Sequence, residues 1–346
     1  MKRIVRLSIL LVAVSLALSS CKTDTSNMRK KITGKAGEMV VVLPKNYWNG
    51  SVGKAFREVM AQSQLGLPQD EPIFDLIDVP PEAFKEIFKT TRNIVRINIS
   101  SEIDTSRVVY KKDVWAWPQA VVIISAKSPE DFQQLFKMNS DRIVAYMLKA
   151  ERNRLQRNYR KYYAKAVKAK ILKKFNINID VPPGFVVTND STKNFAWIRY
   201  ETPDISQGIL VYTYPYKSDS TFTQNYLLDL QDSILKADVP GPRDGSYMMT
   251  ERKLPPVFNV FKYKNNYAAG LRGLWRVNGD FMGGPYINLS VLDASKNRIV
   301  TLYGFVYAPK SDKRNYIRQV EAMMYTMTFP DQKANDKVNT QINMGN

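Results

Sequence analysis

The sequence predicts an α+β protein of two α/β-sandwich-like domains with mostly antiparallel sheets, joined by a long basic helix. Three observations lead to this prediction. The chain of 346 residues, 44% of them hydrophobic, is long enough to form two cores. Short segments of alternating apolar residues recur along most of it and indicate strands. Between two groups of such segments lies a stretch with helical periodicity and a dense run of lysine and arginine.

Residues 1–21 have the organisation of a secretory signal peptide. Basic residues open the segment, an apolar run follows over 7–18, and small residues precede Cys21. This run of twelve residues is too short to span a hydrocarbon core of ~30 Å. Leu18-Ser19-Ser20-Cys21 resembles the lipobox of Gram-negative lipoproteins, which implies that Cys21 is acylated and becomes the mature N-terminus. The alternative is an ordinary signal peptide with an incidental cysteine.

Residues 22–32 are polar, and we expect them to form a flexible tether. Lys22 directly follows the cysteine in place of the aspartate that retains lipoproteins in the inner membrane, so the resemblance implies sorting to the outer membrane. Asp24 is a single acid where surface export uses an acidic cluster, which favours a periplasm-facing protein. The first predicted partner is therefore the membrane, through the N-terminal lipid.

The first domain is predicted over residues 33–127. It begins with a short apolar strand, Glu38 to Leu43, and a helix within 48–65. Pro80-Pro81-Glu82 opens a second, short helix. Further strands are predicted at 73–79, 93–100, 107–117 and 120–126. This order predicts a sheet with helices packed on one face.

The connecting helix is predicted over residues 128–174. Ser128-Pro129-Glu130-Asp131 combines a hydroxyl N-cap, a proline at the first helical position and acids in the first turn. Asn139-Ser140 is the point where the helix could break. From Lys137 to Lys174 there are thirteen lysines and arginines against two acids, and the spacing of apolar residues leaves one face apolar at Leu155, Tyr159 and Tyr162.

The basic helix predicts a surface for anionic partners. The chain carries a net charge of +19, which falls to +16 once the three basic residues of the signal are removed. In an exported protein the available anions are anionic lipids, lipopolysaccharide phosphates and acidic envelope proteins, and nucleic acid is excluded. The alternative is that the apolar stripe packs between the domains and the cations are only solvated. The candidate binding residues are Arg152, Arg154, Arg157, Arg160, Lys161, Lys165 and Lys168.

The second domain is predicted over residues 175–330, followed by a disordered tail over 331–346. Its opening strand is placed at 177–181, its first helix at 221–235 and its closing helix at 312–326. The other strands are predicted near 195–200, 208–214, 247–253, 259–263, 268–277, 284–293 and 298–308. This order, βββαβββββα, and the opening "IDVPPGF" at 179–185 resemble the PsbP/Mog1 type of α/β sandwich.

Two longer motifs resemble an uncharacterised family of bacterial lipoproteins, domain-of-unknown-function family 4837. They are "AWPQA" at Ala116–Ala120 and "GLWRVNGDFMGGPY" at Gly273–Tyr286. Together with the lipobox and the length of the chain, they imply that the resemblance covers nearly the whole sequence. It implies no catalytic residue, because the family has no assigned activity.

The composition excludes several classes of site. The chain has no histidine, and Cys21 is its single cysteine. Zinc sites of Cys and His, catalytic triads and disulfides are therefore excluded, and we predict no metal and no cofactor. Trp48 to Ala55 lies where a P-loop would, but it lacks the first glycine and the Ser/Thr of that motif. The glycines from Gly270 to Gly284 favour a hairpin that turns at Asn278-Gly279 over a ligand-binding sheet edge with Arg272 and Arg276.

Two function classes follow. The first is a non-enzymatic binding or assembly module of the cell envelope at the outer membrane. The alternative is an envelope hydrolase that uses paired carboxylates, for which Asp244, Glu251 and Asp293 are the candidates and glycans the substrate. A cleft with two facing carboxylates would favour the hydrolase. The aromatic residues are assigned mainly to the core, with a sugar- or peptide-binding cleft as the alternative.

Overall fold

A computed structural model describes residues 30–189 and 194–330. The predicted signal peptide, Cys21, all but the last residues of the tether and the tail over 331–346 lie outside the described residues. Within the described ranges the chain forms seven α-helices and two large sheets in a two-domain layout, which confirms the α+β class. In the same ranges no helix is long and apolar enough to cross a bilayer.

The first domain is built on a five-stranded mixed sheet. The seven strands described in this domain are β1 (Lys30–Lys31), β2 (Glu38–Val42), β3 (Asp75–Val79), β4 (Asn93–Ile99), β5 (Arg107–Lys112), β6 (Ala116–Trp117) and β7 (Ala120–Ala126). The order of the main sheet is β3-β2-β4-β7-β5, and β1 pairs separately with β6. Only β5 is antiparallel in the main sheet, because the connections from β2 to β3 and from β3 to β4 return the chain to the same end.

Helices cover both faces of this sheet. They are α1 (Lys45–Asn49), α2 (Ser51–Met60), α3 (Glu86–Lys89) and α4 (Pro129–Lys161). Helices α2 and α4 share one face, where the Phe56 and Phe136 rings lie 5.3 Å apart. Phe84 and Phe88 cover the opposite face at Val40 and Ile94. The short helix that was predicted to start at Pro80-Pro81-Glu82 is present, but the prediction that all helices pack on one face is wrong, because the segment over 81–89 covers the opposite face.

The basic segment forms two helices instead of one. Helix α4 begins as predicted, since the Ser128 side chain accepts a hydrogen bond from the Asp131 N–H at 3.2 Å. It runs through Asn139 without a break, and the Asn139 side-chain amide donates to the Leu135 carbonyl at 2.8 Å. The helix ends at Lys161, where the backbone becomes extended, and α5 (Lys165–Phe175) follows. The single helix predicted over 128–174 is thus wrong at its C-terminal end.

The second domain contains an eight-stranded antiparallel sheet. Its elements are β8 (Val186–Asn189), β9 (Phe195–Glu201), β10 (Ser206–Pro215), α6 (Gln224–Asp238), β11 (Tyr247–Thr250), β12 (Val257–Tyr263), β13 (Asn266–Asn278), β14 (Gly283–Asp293), β15 (Arg298–Tyr307) and α7 (Arg314–Met324). The strand order is β11-β13-β14-β15-β10-β9-β8, with β12 also paired to β13. The predicted order of elements is confirmed, but the opening strand is β8, and 177–181 is joined to the fold by a bridge from Asn178 to Thr328.

Both faces of this sheet are buried. Helix α7, α5 and the end of α4 cover one face, where Val211 and Leu302 are fully buried. Helix α6 covers the other face, which is rich in aromatic residues such as Tyr212, Tyr303 and Phe305. Residues of the two faces alternate along each strand because successive side chains of a strand point to opposite faces. The result is a three-layer sandwich whose aromatic layer extends to one open end of the sheet.

Candidate functional site

A cleft of about 510 Å³ opens at one end of the aromatic layer. Its floor is formed by Trp197 of β9, Trp275 of β13 and Phe305 and Tyr307 at the end of β15. Its walls are the turn between β9 and β10, the loop after α6 and the hairpin of β13 and β14. We call this site the aromatic cleft. Its volume lies in the range of small-molecule sites, which is ~300–1,000 Å³.

Glycine residues allow the rings of the floor to pack. Phe305 lies opposite Gly208, where an added Cβ would stand 2.2 Å from the Phe305 ring. The Trp275 indole N–H donates to the Val306 carbonyl at 3.2 Å across Gly284, where a Cβ would stand 2.1 Å from that oxygen. Trp275 and Phe305 meet edge to face with their centroids 5.5 Å apart. The floor is therefore held by the sheet and does not depend on a flexible loop.

Arg199 and Glu201 of β9 are charged residues that line the aromatic cleft. The Arg199 guanidinium lies 4.7 Å from the Trp197 ring centroid and pairs with Glu201. Among the described residues, the Trp197 indole nitrogen and Nε of Arg199 are buried without a hydrogen-bond partner. Buried donors are normally satisfied, and an unsatisfied one costs ~1–3 kcal/mol.

The rim of the aromatic cleft joins two loops. Arg243, in the loop after α6, pairs with Asp280 of the β13–β14 hairpin at 3.1 Å. The next residue, Phe281, is 99% exposed, and Met282 turns back into the cleft. The hairpin with its turn at Gly279 confirms the favoured interpretation of the glycine-rich segment. An apolar side chain thus stands in solvent at the entrance to an apolar site.

The candidate carboxylates do not form a pair. The Glu251 N–H donates to the Leu274 carbonyl of β13. Asp293 is the last residue of β14 and lies beyond Val291, which is in register with Ala268 near the start of β13. Six residues of strand separate Leu274 from Ala268, which is ~20 Å. Asp293 is also buried against Arg298, at 2.9 Å. Asp244 is exposed in a turn, so none of the three faces another across a cleft.

Two other carboxylates line the aromatic cleft. Glu201 is paired with Arg199, and Asp204 lies in the exposed turn of the β9–β10 hairpin, 3.9 Å from Lys310. Both are acids that a cation already neutralises at the surface. A pair for glycoside hydrolysis needs one carboxyl kept protonated by an apolar surrounding. These two residues do not have that surrounding.

Two of the predicted cations, Arg152 and Arg154, do not form an open binding surface. The Arg154 side chain is only 7% exposed; it pairs with Glu151 at 2.9 Å and donates to the Arg92 carbonyl at 2.6 Å. Burial lowers the pKa of Arg154 to about 10. Arg152 stacks on Tyr325 of the second domain at 4.2 Å. The assignment of Arg154 to an anion-binding surface is corrected, because its hydrogen bonds are all inside the protein.

The other predicted cations point in several directions. Arg157 stacks on Trp117 at 4.5 Å, and Lys168 pairs with Asp180 at 2.7 Å. Arg160, Lys161 and Lys165 are exposed. The apolar stripe divides in the same way, since Tyr159 is buried in the second domain while Tyr162 is 53% exposed. The break between α4 and α5 separates these residues, so the seven do not share one face.

The structure explains the motif that resembled a P-loop. At Gly53 an added Cβ would stand 2.0 Å from the Trp48 carbonyl oxygen, so this glycine allows α1 and α2 to pack closely. Arg57 closes the turn by donating to the same carbonyl at 2.7 Å. In the described ranges no group of three or more acids, histidines or cysteines is placed to hold a metal ion.

The residues of the aromatic cleft were not singled out from the sequence, which assigned its rings to the core. One signal was available in β9, whose segment FAWIRYE alternates. Trp197, Arg199 and Glu201 are two residues apart and therefore share a face. An arginine between an aromatic residue and an acid on an inward face indicates a site and not a core, because charged residues are rarely buried in a core.

Two family models match different parts of this chain. The model of the family DUF4837, a domain of unknown function, matches residues 164–326, which contain every residue of the aromatic cleft. The match covers most of the second domain of this chain. Residues 32–160 match a different family model, DUF8532, also a domain of unknown function. The resemblance to DUF4837 is thus confirmed, but its extension over nearly the whole chain is wrong, because "AWPQA" lies in the DUF8532 region.

Several solved structures show a distant similarity to part of this chain. LpqN of Mycobacterium tuberculosis, described as involved in cell envelope biogenesis, is 16% identical over 44% of this chain and 82% of its own, with a TM-score of 0.28. The Saccharomyces cerevisiae Ran-binding protein Mog1p is 8% identical over 44% and 90%, with a TM-score of 0.30. The lipid transfer and protein localization domain of human StarD13 is 8% identical over 46% and 95%, with a TM-score of 0.22. No curated protein matches the chain.

Proposed function

We propose that this chain is a non-catalytic binding protein of the cell envelope, held at the outer membrane through an acylated Cys21 and facing the periplasm. The aromatic cleft of the DUF4837 domain is its binding site. The ligand is an amphiphile, with an apolar body and one anionic or hydrogen-bond-accepting group. The lipobox-like end of the signal segment supports the anchorage, and the cleft supports the binding function.

The observation that carries the proposal is the combination of an apolar floor with unsatisfied donors. Trp275, Phe305 and Met248 offer an apolar bed for a chain or ring. Trp197 and Arg199 also line the cleft, and the Trp197 indole N–H and the Arg199 Nε are buried without partners among the described residues. A small-molecule site typically has this composition, in which apolar contacts supply affinity and a few polar groups fix the orientation.

A titration of the unacylated chain, residues 22–346, with a fluorescent fatty acid tests the proposal. We expect saturable binding in roughly the micromolar range. Met282→Glu places a carboxylate in the aromatic cleft, so we expect affinity to fall at least about tenfold. The matched control is Met138→Glu, because Met138 is 77% exposed in the first domain. Absence of binding, or equal affinity in the two variants, would contradict the proposal.

The role of Arg199 is tested with the same probe and its uncharged alcohol. The wild type should prefer the acid, because the guanidinium favours a carboxylate. Arg199→Gln should remove that preference while retaining the apolar contribution to binding. If Arg199→Gln leaves the preference unchanged, the polar group is recognised elsewhere.

The alternative function, glycan hydrolysis by paired carboxylates, gains no support from the structure. Glu251 and Asp293 lie beside different parts of β13, far from each other. The acids of the aromatic cleft are paired with cations. No specific observation on the described residues favours it over binding.

A further inference from the structure

The first domain exposes an unusual group of apolar side chains beside β6. Ile87 is 75% exposed and Trp117 is 46% exposed. They are connected through β1, because Lys30 pairs with Glu86 at 3.0 Å and Lys31 lies in register with Trp117. Large apolar side chains with this exposure are costly in water and are typical of a surface that meets another phase.

Cations lie next to Trp117. The Arg157 guanidinium stacks on Trp117 at 4.5 Å. Next to this pair lies a depression of about 180 Å³, and its lining holds four cationic residues, Lys112, Lys149, Arg154 and Arg157, against one acid, Asp113. We call Lys31, Ile87, Lys112, Trp117, Lys149 and Arg157 the β6 surface. Its combination of aromatic, aliphatic and basic side chains is complementary to an anionic membrane, in which Trp lies at head-group level and Lys and Arg contact phosphates.

The position of Lys30, the first described residue, indicates what covers the β6 surface. The described body begins at Lys30, in β1, which pairs directly with β6. Nine peptide units separate Lys30 from Cys21. At ~3.6 Å per residue, they reach at most ~32 Å. An acyl group on Cys21 would therefore confine the β6 surface to within this reach of the lipid head groups, while the aromatic cleft belongs to the other domain.

We propose that the β6 surface docks on the anionic membrane to which Cys21 anchors the protein, and so fixes the orientation of the first domain against the lipid. This inference rests on the proposed anchorage through Cys21. The ligand chemistry is a phosphate head group at Lys112, Lys149 and Arg157, with Trp117 and Ile87 inserted at head-group depth. Tethering raises the local concentration of this surface, so weak intrinsic affinity is sufficient.

Vesicle binding of the unacylated chain, residues 22–346, tests the proposal without the lipid anchor. We expect binding to vesicles of phosphatidylglycerol in phosphatidylcholine and little binding to pure phosphatidylcholine. The triple variant Lys112→Glu, Lys149→Glu, Arg157→Glu should weaken binding at least about tenfold, because each basic residue contributes near an anionic surface. Binding should also decline as salt shortens the Debye length from ~10 Å at 0.1 M to ~3 Å at 1 M.

The matched control is Lys217→Glu, Lys253→Glu, Lys262→Glu, which changes the net charge equally on exposed lysines of the second domain. Its binding should remain within about threefold of the wild type. Ile87→Ser should weaken binding more than Leu254→Ser, since Leu254 is 55% exposed in the second domain. Circular dichroism establishes that each variant is folded.

Three outcomes would overturn the proposal: no binding of the wild type at low salt, equal weakening by both triple variants, or equal binding to neutral vesicles. The first domain would then meet a protein partner or solvent. Fatty-acid binding at the aromatic cleft and acylation of Cys21 are measured separately. A failure of the β6 surface is therefore distinguishable from a failure of the proposed function.

Discussion

The carboxylate of Glu71 accepts a hydrogen bond from the backbone N–H of Arg314 at 2.8 Å and another from the N–H of Lys313 at 2.7 Å. A residue of the first domain thus occupies the N-terminus of α7, the last helix of the second. A negative side chain is favoured there because the first N–H groups of a helix lack partners within the helix. The Arg314 side chain returns the contact by donating to Asp75 at 2.6 Å. The junction of the domains is therefore built from buried, directional contacts.

Glu71→Ala should destabilise the protein by about 1–3 kcal/mol, because it leaves the N-terminus of α7 without its acceptor. Urea unfolding followed by circular dichroism measures this change. Glu58→Ala is the control, since Glu58 is exposed and its pair with Lys54 is long, at 3.9 Å. If both variants lose equally little, Glu71 does not hold the junction.

Much of the fold could be predicted from local patterns, and what was missed depends on distant partners. The start of α4 at Ser128 and the turn at Gly279 were predicted because cap and turn chemistry lies within a few residues. The end of α4 was not, because the Ala164 N–H bonds to Val181, a residue seventeen positions further along the chain. The parallel pairing in the first domain likewise depends on how crossovers pack and not on strand composition.

The same limit applies to the candidate sites. A run of basic residues indicated a charged surface, but composition could not show that Arg154 is enclosed by Glu151 and Asn93. The aromatic cleft is assembled from β9, β13 and β15, which are adjacent only after the sheet has formed. Its rings looked like core residues because most aromatics of this sheet are core residues.

Arg154→Ala should destabilise the protein by about 3–5 kcal/mol, since it leaves the Glu151 carboxylate buried with fewer partners. Arg160→Ala, at an exposed position of the same helix, should change stability by no more than about 0.5 kcal/mol. The double variant Glu151→Leu, Arg154→Met should recover part of the loss, because it removes both charges together. Chemical unfolding of the four proteins provides the comparison. Equal stability of the two alanine variants would contradict the buried assignment.

Alkaline pH should weaken the second domain through its buried tyrosines. Burial raises the pKa of Tyr214 to about 12 and raises that of Tyr303 well above its ordinary value. In the unfolded chain tyrosine titrates near ~10. The folded state therefore holds these protons longer, so their stabilising contribution is complete below pH ~10 and is lost as pH rises toward the folded values.

Tyr303→Phe isolates one of these groups. The Tyr303 hydroxyl is buried without a hydrogen-bond partner among the described residues, so its removal should stabilise the protein by up to about 1 kcal/mol at neutral pH. The variant should also lose stability less steeply above pH ~10, because it lacks a tyrosine whose pKa is raised in the folded state. Unfolding free energies measured across this range decide the matter. Parallel curves for the two proteins would show that Tyr303 titrates as it does in the unfolded chain.

Gly284→Ala should deform the floor of the aromatic cleft. The new methyl group would stand 2.1 Å from the Val306 carbonyl oxygen, the acceptor of the Trp275 indole, so β14 and β15 must separate locally. We expect a loss of about 1–3 kcal/mol and a changed Trp275 signal in near-ultraviolet circular dichroism. Gly50→Ala is the control, because its nearest neighbour would be 3.2 Å away and its φ of −92° suits alanine. An unchanged tryptophan signal would mean that the floor adapts without strain.

The last prediction concerns the proposed lipid anchor at Cys21. Mass spectrometry of the mature protein should find the N-terminus at Cys21, carrying acyl chains. One chain gives only marginal membrane binding, whereas several give stable residence, so the mature protein should remain in the membrane fraction after a high-salt wash. Cys21→Ala should either release the protein or leave unprocessed precursor. Salt alone should not release the wild type, because screening weakens charge contacts at the β6 surface but leaves acyl insertion intact. An unmodified N-terminus downstream of Cys21 would exclude the anchor.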